Sequence, residues 1–164
     1  MRLLLGHKTK ADHVTKTCFS QWFPSEFQDE DGNTYRSAEH YMMVKKAELF
    51  GDHEMAKKIL ECSIPAKAKA YGRQVTGFDQ AKWDRSKFDI VVDGNMLKFS
   101  QDAAMKEFLL NTGNRVLVEA SPVDRIWGIG LAVDHEHAEN PSHWRGENLL
   151  GFALMKVRNQ LVAA

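Results

Sequence analysis

The spacing of apolar and charged positions in residues 37–50 is typical of a helix. Glu39 and Lys46 lie seven positions apart with a methionine at helical spacing between them, so these side chains share one face. Ser37 is suited to cap the first turn, because its hydroxyl can accept a hydrogen bond from a free amide, and Gly51 is suited to end the helix. The pattern therefore predicts a helix that carries a carboxylate and an amine on the same side.

The same periodicity predicts that helices make up most of the chain. Further helices are expected at residues 53–62, 66–75, 87–100, 101–110 and 146–162. Residues 82–85, around Trp83, are expected to form a turn. Gly94 falls inside the helix predicted at 87–100, where a glycine carries a cost in stability.

Stretches of β-branched and aromatic residues predict a few short strands. Residues 17–23 are such a stretch, and residues 34–36 could pair back on it across a turn at 29–33. Residues 116–120 form the clearest strand of the second half, whereas residues 1–16 are either a short strand or a loose arm. We therefore predict a mainly α fold, a compact multihelical domain with a small antiparallel β-sheet.

The chain shows neither an internal repeat nor a linker. Its 164 residues suffice to bury one core, so a single domain over residues 1–164 is expected. Lysine plus arginine and aspartate plus glutamate both total 22, so the formal net charge is zero. This balance gives no bulk attraction to nucleic acid or membrane, although it allows a local basic patch. The oligomeric state is left open by these totals.

Cysteine usage and hydropathy indicate a cytoplasmic protein. Cys18 and Cys62 are far apart and have no metal-binding spacing, so both thiols are expected to be free in a reducing compartment. The apolar run at residues 3–5 is far too short for a signal segment or a membrane span. We therefore expect a soluble, cytoplasmic protein with no membrane partner.

Two readings of the Glu39 and Lys46 charges are open. Most charged residues on helices are simply solvated, and both side chains could be of that kind. Alternatively, a carboxylate and an amine on one face could be an acid/base pair at the wall of a pocket.

Residues 119–130 combine chemistry-bearing side chains with glycines just after a predicted strand. Loops at strand ends are a usual place for binding and catalytic groups, and Glu119 and Asp124 supply two carboxylates there. Trp127 could stack on a flat heterocycle, while Gly128 and Gly130 allow the backbone to approach a ligand closely. The plain alternative is a tight structural turn with a half-buried tryptophan.

Cationic and amide-rich positions offer candidate phosphate contacts. Arg73 follows Gly72, whose bare backbone is expected to leave room for a ligand, and is preferred over Arg85 for that reason. Asn148 stands at the start of the last predicted helix, where free amides attract anions, and could either cap the helix or reach a ligand. For Arg73 the alternative is an ordinary surface arginine.

A histidine-bearing loop invites a metal hypothesis that its spacing does not support. His135, His137 and His143 lie close together with acidic neighbours, but they match no known ligand spacing. Loops of this composition are usually solvated. We therefore expect neither a metal nor another cofactor.

Motifs spread over residues 17–162 resemble the NADAR, or YbiA-like, proteins. The motifs are Phe19-Ser20, Ser37-Ala38-Glu39-His40-Tyr41, Lys46-Ala47, Ala68-Lys69 with Gly72-Arg73, Trp83, Lys98-Phe99, Leu110 with Thr112-Gly113, Leu117-Val118-Glu119, Asp124 with Trp127-Gly128-Xaa-Gly130, and Asn148-Leu149-Leu150-Gly151 with Leu154-Met155 and Arg158. Each motif alone is weak, but their succession over one domain is specific.

This resemblance implies a compact, mostly helical enzyme that hydrolyses N-glycosidic bonds. Family members are associated with ribosylamino-pyrimidine phosphates of early riboflavin biosynthesis and with ADP-ribose attached to guanine in DNA or RNA. Both substrates contain ribose C1 bonded to a nitrogen, with phosphate on the far side of the sugar. A non-catalytic module that binds a nucleotide or ADP-ribose is the alternative.

The resemblance also distributes roles over the candidate residues. Glu39 is the first choice for the carboxylate near C1 and Asp124 the second, while Lys46 could form a Schiff base with an opened ribose or bind phosphate. Substrate contacts are expected from Ser20, His40, Tyr41, Arg73, Trp83, Glu119, Trp127, Gly128, Gly130 and Asn148. The chain departs from the family pattern at Gln21-Trp22 and Met42-Met43, which could reshape the base pocket.

Overall fold

Helices make up most of the computed structural model, which describes residues 3–5 and 14–164. The elements in chain order are β1 (Leu3–Leu5), a 3-10 helix (Lys16–Phe19), β2 (Phe27–Gln28), β3 (Thr34–Tyr35), α1 (Ala38–Leu49), α2 (His53–Glu61), α3 (Pro65–Gly72), α4 (Gln80–Ser100), α5 (Ala103–Leu110), β4 (Val116–Val118), a second 3-10 helix (Pro141–His143) and α6 (Leu149–Ala163). In this part of the chain, six α-helices and a two-stranded antiparallel sheet confirm the predicted fold class.

The chain divides into two compact units. The central unit, Gln21–Gln101, contains β2, β3 and α1–α4. The terminal unit combines Met1–Ser20 with Asp102–Ala164 and contains β1, β4, α5 and α6. The single domain expected from the sequence stays a prediction.

α1 is the helix around which the central unit packs. It contacts α2, α3 and α4, and eight of its twelve residues are buried, so it is enclosed on several sides and has no broad solvated face. The predicted cap is confirmed, because the Ser37 hydroxyl accepts a hydrogen bond from the His40 N–H at 3.2 Å. Gly51 has a φ of 74° and ends the helix, also as predicted.

The first predicted strand is wrong, because the chain forms a 3-10 helix at Lys16–Phe19 instead. Cys18 and Phe19 are both buried, and two successive buried positions do not follow the alternation of a strand. The strand at Thr34–Tyr35 is confirmed, but its antiparallel partner is Phe27–Gln28. The predicted turn between these strands forms around Asp29, whose Oδ1 accepts from the N–H groups of residues 31 and 33 at 3.0 and 2.9 Å.

The turn predicted around Trp83 is also wrong, because α4 already begins at Gln80. Asp79 caps this helix by accepting a hydrogen bond from the Lys82 N–H at 3.2 Å. A second cap, Asp102, accepts from the Met105 N–H at 3.0 Å and begins α5 as a separate helix. Each aspartate bonds a first-turn amide and thereby sets a boundary that apolar periodicity did not reveal.

Gly94 makes room in α4 for an aromatic ring of α1. A Cβ at this position would lie 2.6 Å from Cδ1 of Tyr41, which is closer than any ordinary contact. The same ring packs edge-on against Tyr35 with the ring centroids 4.9 Å apart. The cost of a glycine inside a helix is therefore offset by the close packing of α4 on α1.

The terminal unit is organised around β4. β1 pairs with it in parallel, with Leu3 opposite Val116 and Leu5 opposite Val118, and α6 packs on the same strand. This pairing confirms a short strand for part of residues 1–16, whereas residues 6–13 lie outside the described part of the chain. The Arg158 guanidinium of α6 donates to the Thr112 hydroxyl at 2.8 Å and so ties α6 to the turn before β4.

Two expectations drawn from composition can be compared with the structure. Cys18 and Cys62 are free thiols, as predicted, and both are buried. Within the described ranges, no helix is both long enough and apolar enough to cross a bilayer.

Gly94→Ala is expected to destabilise the protein although alanine is the better helix former. The added methyl group meets the Tyr41 ring, and overpacking of this kind costs about 1–3 kcal/mol, against a helix gain of at most about 1 kcal/mol. The measurement is the free energy of unfolding in urea. In a Tyr41→Ala background the obstacle is gone, so the same substitution should then stabilise the helix. Stabilisation by Gly94→Ala in the wild-type background would contradict the packing described here.

Candidate active site

Lys46 lies in the last turn of α1 with its amine beside two aromatic rings. Its Nζ is 4.8 Å from the ring centroid of Phe78 and 5.4 Å from that of Trp83. Aromatic faces attract an ammonium group at such distances. Lys46 is half-buried and Trp83 is buried, whereas Phe78 is 43% exposed. The amine therefore lies at the edge of the packed helices, next to a ring that solvent can reach.

Burial and two nearby charges set the pKa of Lys46. Burial is the largest effect and lowers this pKa, the Glu39 carboxylate opposes the decrease, and the Arg73 guanidinium adds to it. The net shift is downward, because desolvation favours the neutral amine more strongly than the carboxylate favours the ammonium. A larger fraction of Lys46 is therefore unprotonated, and nucleophilic, than of an ordinary lysine at the same pH.

Glu39 is buried at the first turn of α1, with 4% of its surface exposed. Its N–H donates to the Gln21 carbonyl at 2.9 Å, which fixes the start of the helix to the preceding segment. The Gln21 side chain is held in turn by Asn95 of α4, whose Nδ2 donates to Gln21 Oε1 at 2.8 Å. The electrostatic effect of Glu39 on Lys46 agrees with the shared helical face expected from their spacing.

Arg73 follows the end of α3 and is exposed to solvent. Its effect on the pKa of Lys46 places its charge close to that amine. The expectation that Gly72 leaves room for a ligand is wrong, because the sulfur of Met43 occupies the space that a Cβ would take. Arg73 therefore stays a candidate for phosphate because of its position near Lys46 and not because of its glycine neighbour.

His40 and Tyr41 belong to the same helix, but both are buried among neighbouring protein groups. His40 is 1% exposed, with Nδ1 2.7 Å from the Ser37 hydroxyl and Nε2 3.0 Å from the Cys62 carbonyl oxygen. Burial, the largest effect, lowers the pKa of His40 and so favours the neutral ring. Tyr41 lies about 200° around the helix from Glu39. A substrate contact from either residue stays a prediction.

The terminal unit holds its own pair of carboxylates, Glu119 just after β4 and Asp124 in the following loop. Asp124 Oδ1 accepts hydrogen bonds from the N–H groups of Ile126 and Trp127 at 3.0 and 2.8 Å, so one of its oxygens shapes the loop. Burial raises the pKa of Glu119, and the nearby Asp124 charge raises it further. Glu119 is therefore the member of the pair that holds a proton more readily than an ordinary glutamate.

The glycines of this loop let the chain approach itself. A Cβ on Gly128 would lie 2.8 Å from the Glu119 carbonyl oxygen and 2.9 Å from that of Asp124. Gly130 has a φ of 69°, the left-handed conformation that glycine adopts without strain. Trp127 is half-buried beside them. The glycines are thus required for the loop itself, and a role for them in holding a ligand stays a prediction.

Asn148 connects this loop to β4. It adopts a left-handed conformation with a φ of 53° and is fully buried. Its Oδ1 accepts from the Glu119 N–H and its Nδ2 donates to the Leu117 carbonyl, each at 3.0 Å, so its side chain does not cap α6. Both polar atoms of the side chain are therefore used to position the end of β4.

The amides at the start of α6 do not form the open anion site expected from the sequence. The N–H groups of residues 148, 149 and 150 donate to the carbonyl oxygens of residues 128, 126 and 127 at 3.0, 3.1 and 3.2 Å. Because the loop satisfies these donors, phosphate would have to displace it. The anion-site expectation for this helix start is wrong.

The sequence offered two further candidates, Ser20 and the histidine loop. Ser20 is exposed at the end of the first 3-10 helix, and its N–H donates to the Thr17 carbonyl at 3.1 Å. His137 and His143 stack with their centroids 4.2 Å apart. In the described part of the chain, no group of three histidine, cysteine or acidic side chains is arranged to hold a metal ion.

Sequence reasoning missed Phe78 as a site residue and gave Lys98 no role of its own. Lys98 is 1% exposed, with Nζ 5.7 Å from the Phe23 ring centroid and 5.2 Å from that of Phe99. Its position seven residues after Val91 puts it on the apolar face of the predicted helix, and this spacing could have indicated that Lys98 is buried. Phe78 had none, because a lone aromatic residue in a loop shows nothing of the lysine it contacts.

Comparison with known proteins places these features in a family context. The sequence profile of the NADAR domain matches residues 8–162. The chain is 51% identical over 146 residues to N-glycosidase R617 of Acanthamoeba polyphaga mimivirus, covering 87% of this chain and 86% of that relative. It is 31% identical over 155 residues to N-glycosidase YbiA of Escherichia coli strain K12, covering 94% and 86% respectively. The NMR structure of the E. coli protein YbiA matches with a TM-score of 0.77 at 28% identity, covering 98% of this chain and 85% of that one.

Glu39→Gln is expected to lower the pKa of Lys46 further. Among the described residues, Glu39 is the neighbour whose charge favours the ammonium form, and the substitution removes this charge while keeping the size of the side chain. The measurement is a pH titration of the lysine Nζ and Cε resonances by NMR. Glu48→Gln removes a carboxylate that pairs with Lys45 at 3.1 Å and is the matched control. An unchanged or raised pKa of Lys46 in Glu39→Gln would refute the coupling.

Proposed function

Because the chain belongs to the NADAR family, we propose that it hydrolyses the bond between C1 of a ribose and a nitrogen of a base. It is a hydrolase acting on N-glycosyl bonds, like the viral and bacterial relatives that are named N-glycosidases. The observation that carries the choice of site is the Lys46 amine, with its lowered pKa, within electrostatic range of the buried Glu39 carboxylate. Groups with shifted pKa values are typical of catalytic sites.

Glu39 supplies the negative charge that this reaction needs. Cleavage of the C1–N bond leaves positive charge on the sugar, while the bonding electrons and a proton go to the base nitrogen. Water then adds its hydroxyl to C1. A carboxylate near C1 stabilises the cationic sugar or activates the water, and burial strengthens either effect because few solvent molecules screen the charge.

Lys46 has two roles that fit its surroundings. A neutral amine can attack C1 of the ring-opened N-riboside, in which C1 is doubly bonded to the base nitrogen. The bond from C1 to the base then breaks, the base leaves with a proton, and water later hydrolyses the Schiff base that remains on Lys46. Alternatively, the ammonium form binds a phosphate of the substrate. The lowered pKa favours the first role, since the attacking amine must be unprotonated.

Aromatic and cationic side chains of the central unit suit the rest of an N-riboside phosphate. Phe78 is exposed beside the Lys46 amine and offers a face on which a base can stack. Lys69 and Arg73 lie four positions apart at the end of α3, a helix without acidic residues. Trp22 is 44% exposed, with Lys69 Nζ 5.9 Å from its ring centroid.

This cationic and aromatic surface favours ADP-ribosylated guanine in nucleic acid among the two substrate types. Lysines and arginines that follow a phosphate backbone, together with aromatic rings that stack on bases, are the usual means of binding single strands. The ribosylamino-pyrimidine phosphates need a single phosphate contact, which Arg73 alone could make. They remain the second candidate, since Phe78 and Lys46 suit both.

The terminal unit by itself holds the alternative candidates. Asp124 is the second choice for the catalytic carboxylate, Glu119 is a candidate substrate contact whose raised pKa lets it donate a hydrogen bond, and Trp127 is a candidate for stacking on base or ribose. A non-catalytic binder of nucleotide or ADP-ribose is the rival function, and it would have no use for Glu39 beside Lys46.

Glu39→Gln and Lys46→Ala are each expected to lower turnover at least about a hundredfold, the scale of a lost acid–base or nucleophilic group. The measurement is release of free base from guanine-linked ADP-ribose and, in a separate arm, from the ribosylamino-pyrimidine phosphate. Lys45→Ala is the matched control, because Lys45 precedes Lys46 but points about 100° away around the helix.

The variants test which residues form the active site, and the two substrate assays test which substrate class is cleaved. Near-normal rates in both variants would refute the assignment of the site, and no release of base by the wild-type protein in either arm would favour the binder. Release in one arm alone identifies the substrate class. A larger loss in Lys45→Ala than in Lys46→Ala would mean that the helix presents the other lysine to the substrate.

Borohydride should trap a covalent adduct between substrate and protein if Lys46 forms a Schiff base. Reduction of the C=N bond makes the link permanent, so intact-protein mass spectrometry should show a mass increase, and peptide mapping should place it at Lys46. Lys46→Ala should give no adduct. Full activity without any trapped adduct would assign Lys46 to phosphate binding instead.

A further inference from the structure

The segment between α3 and α4, residues 73–79, carries two groups that act on the Lys46 amine. Arg73 begins the segment, and its charge lowers the pKa of Lys46. Phe78, near the end of the segment, has its ring centroid 4.8 Å from Lys46 Nζ. The segment belongs to no helix or strand. Contacts outside regular secondary structure therefore have to fix the position of the ring.

Asp52 joins three parts of the central unit. Its backbone N–H donates to the Ala47 carbonyl at 2.9 Å, which holds it at the end of α1. Its Oδ1 accepts from the Met55 N–H at 3.1 Å and so caps α2. Its Oδ2 accepts from both the N–H and the hydroxyl of Thr76, at 2.9 and 3.0 Å. The carboxylate therefore ties the segment 73–79 to α1 and α2.

Capping α2 accounts for only one of the two oxygens of Asp52. The caps of α4 and α5, Asp79 and Asp102, each accept from a first-turn amide with one oxygen. In Asp52 the second oxygen is used for a distant segment. Hydrogen bonds from Thr76, the largest effect, and from Met55 hold the pKa of Asp52 below its ordinary value. The carboxylate is therefore charged at neutral pH, and a charged acceptor makes the stronger hydrogen bond.

Thr76 lies two residues before Phe78 and so fixes where the ring enters. Between them Gly77 has a φ of 75°, and a Cβ there would lie 3.3 Å from the Phe50 carbonyl oxygen, so the chain turns close to the end of α1. The Phe78 ring packs edge-on against the Phe50 ring with the centroids 5.3 Å apart. Phe50 in turn donates its N–H to the Lys46 carbonyl at 3.3 Å. The two rings and the lysine therefore lie at the same turn of the helix.

We propose that Asp52 is a positioning residue for the active site, because it holds Phe78 against the Lys46 amine through Thr76. The inference rests on the proposed function, which places the reaction at Lys46. Among the described residues, the charges that shift the pKa of Lys46 come from two other side chains, so Asp52 acts through the position of the ring. Since Phe78 offers the face on which a base can stack, release of the segment weakens substrate binding more than it slows the chemical step.

NMR of the full chain tests the position of the ring. An aromatic face shifts the Cε protons of Lys46 upfield by its ring current, and Phe78→Leu removes the share of this shift that Phe78 causes. Asp52→Ser still caps α2, but its single side-chain oxygen cannot also reach Thr76, so it is expected to remove most of that share. Thr76→Val loses the hydroxyl alone and should remove less, while Thr76→Ser should keep the wild-type shift. Far-UV circular dichroism and Tm establish that every variant is folded.

A double-mutant cycle shows whether Asp52 acts through Phe78. In a Phe78→Leu background, Asp52→Ser should leave the Cε proton shift of Lys46 unchanged, because the ring on which Asp52 acts is gone. Asp102→Ser removes a capping carboxylate of the terminal unit and is the matched control, which should give the wild-type shift. A further change in the double variant, no change in Asp52→Ser alone, or an equal change in Asp102→Ser would overturn the proposal.

Hydrolysis of the N-riboside gives the second readout. KM is expected to rise about threefold in Thr76→Val and about tenfold in Asp52→Ser, the scale of one and two lost hydrogen bonds, with a smaller change in kcat. Thr76→Ser should restore the wild-type KM. A fall in kcat at unchanged KM would contradict the positioning role. If the wild-type chain hydrolyses no N-riboside, the proposed function fails, and the NMR cycle by itself decides whether Asp52 holds the ring against Lys46.

Discussion

Taking the Lys46 ammonium partly out of water is the constraint on which the candidate site depends. Desolvation of a charge is costly, and a buried carboxylate and two aromatic faces offset part of this cost. The compensation is incomplete, as the lowered pKa shows. The arrangement gives up some stability of the charged form and gains an amine that can react.

That compromise requires a helix whose surroundings are rigid. α1 is enclosed by three other helices, and its first turn is fixed by the Ser37 cap and by the hydrogen bond from Glu39 to Gln21. Gly94 allows α4 to lie close enough for Tyr41 to fill the space between the helices. Packing of this density leaves the charged side chains few alternative positions. The carboxylate and the amine are therefore held where their charges act on one another.

In the terminal unit, hydrogen bonds to the backbone hold two charged side chains near each other. Asn148 adopts a left-handed conformation, and its side chain hydrogen-bonds to the backbone on both sides of Val118. Asp124 caps the loop amides, and Gly128 lets the loop pass close to the strand. These contacts hold Glu119 and Asp124 near each other, and their proximity contributes to the raised pKa of Glu119. Residues that resemble ligand contacts in the sequence are here needed first to build the loop.

The sequence by itself determined the helical class, the Ser37 cap, the Gly51 stop and the seven-residue spacing of Glu39 and Lys46. Each of these depends on neighbours within about two turns of helix, which a pattern can show. It did not determine where α4 begins, which strand pairs with β3, or that the amides of α6 are already satisfied. Those outcomes depend on contacts between residues far apart in the chain. For the same reason, only the tertiary structure decided that Phe78 lies beside Lys46 and that Met43 fills the space at Gly72.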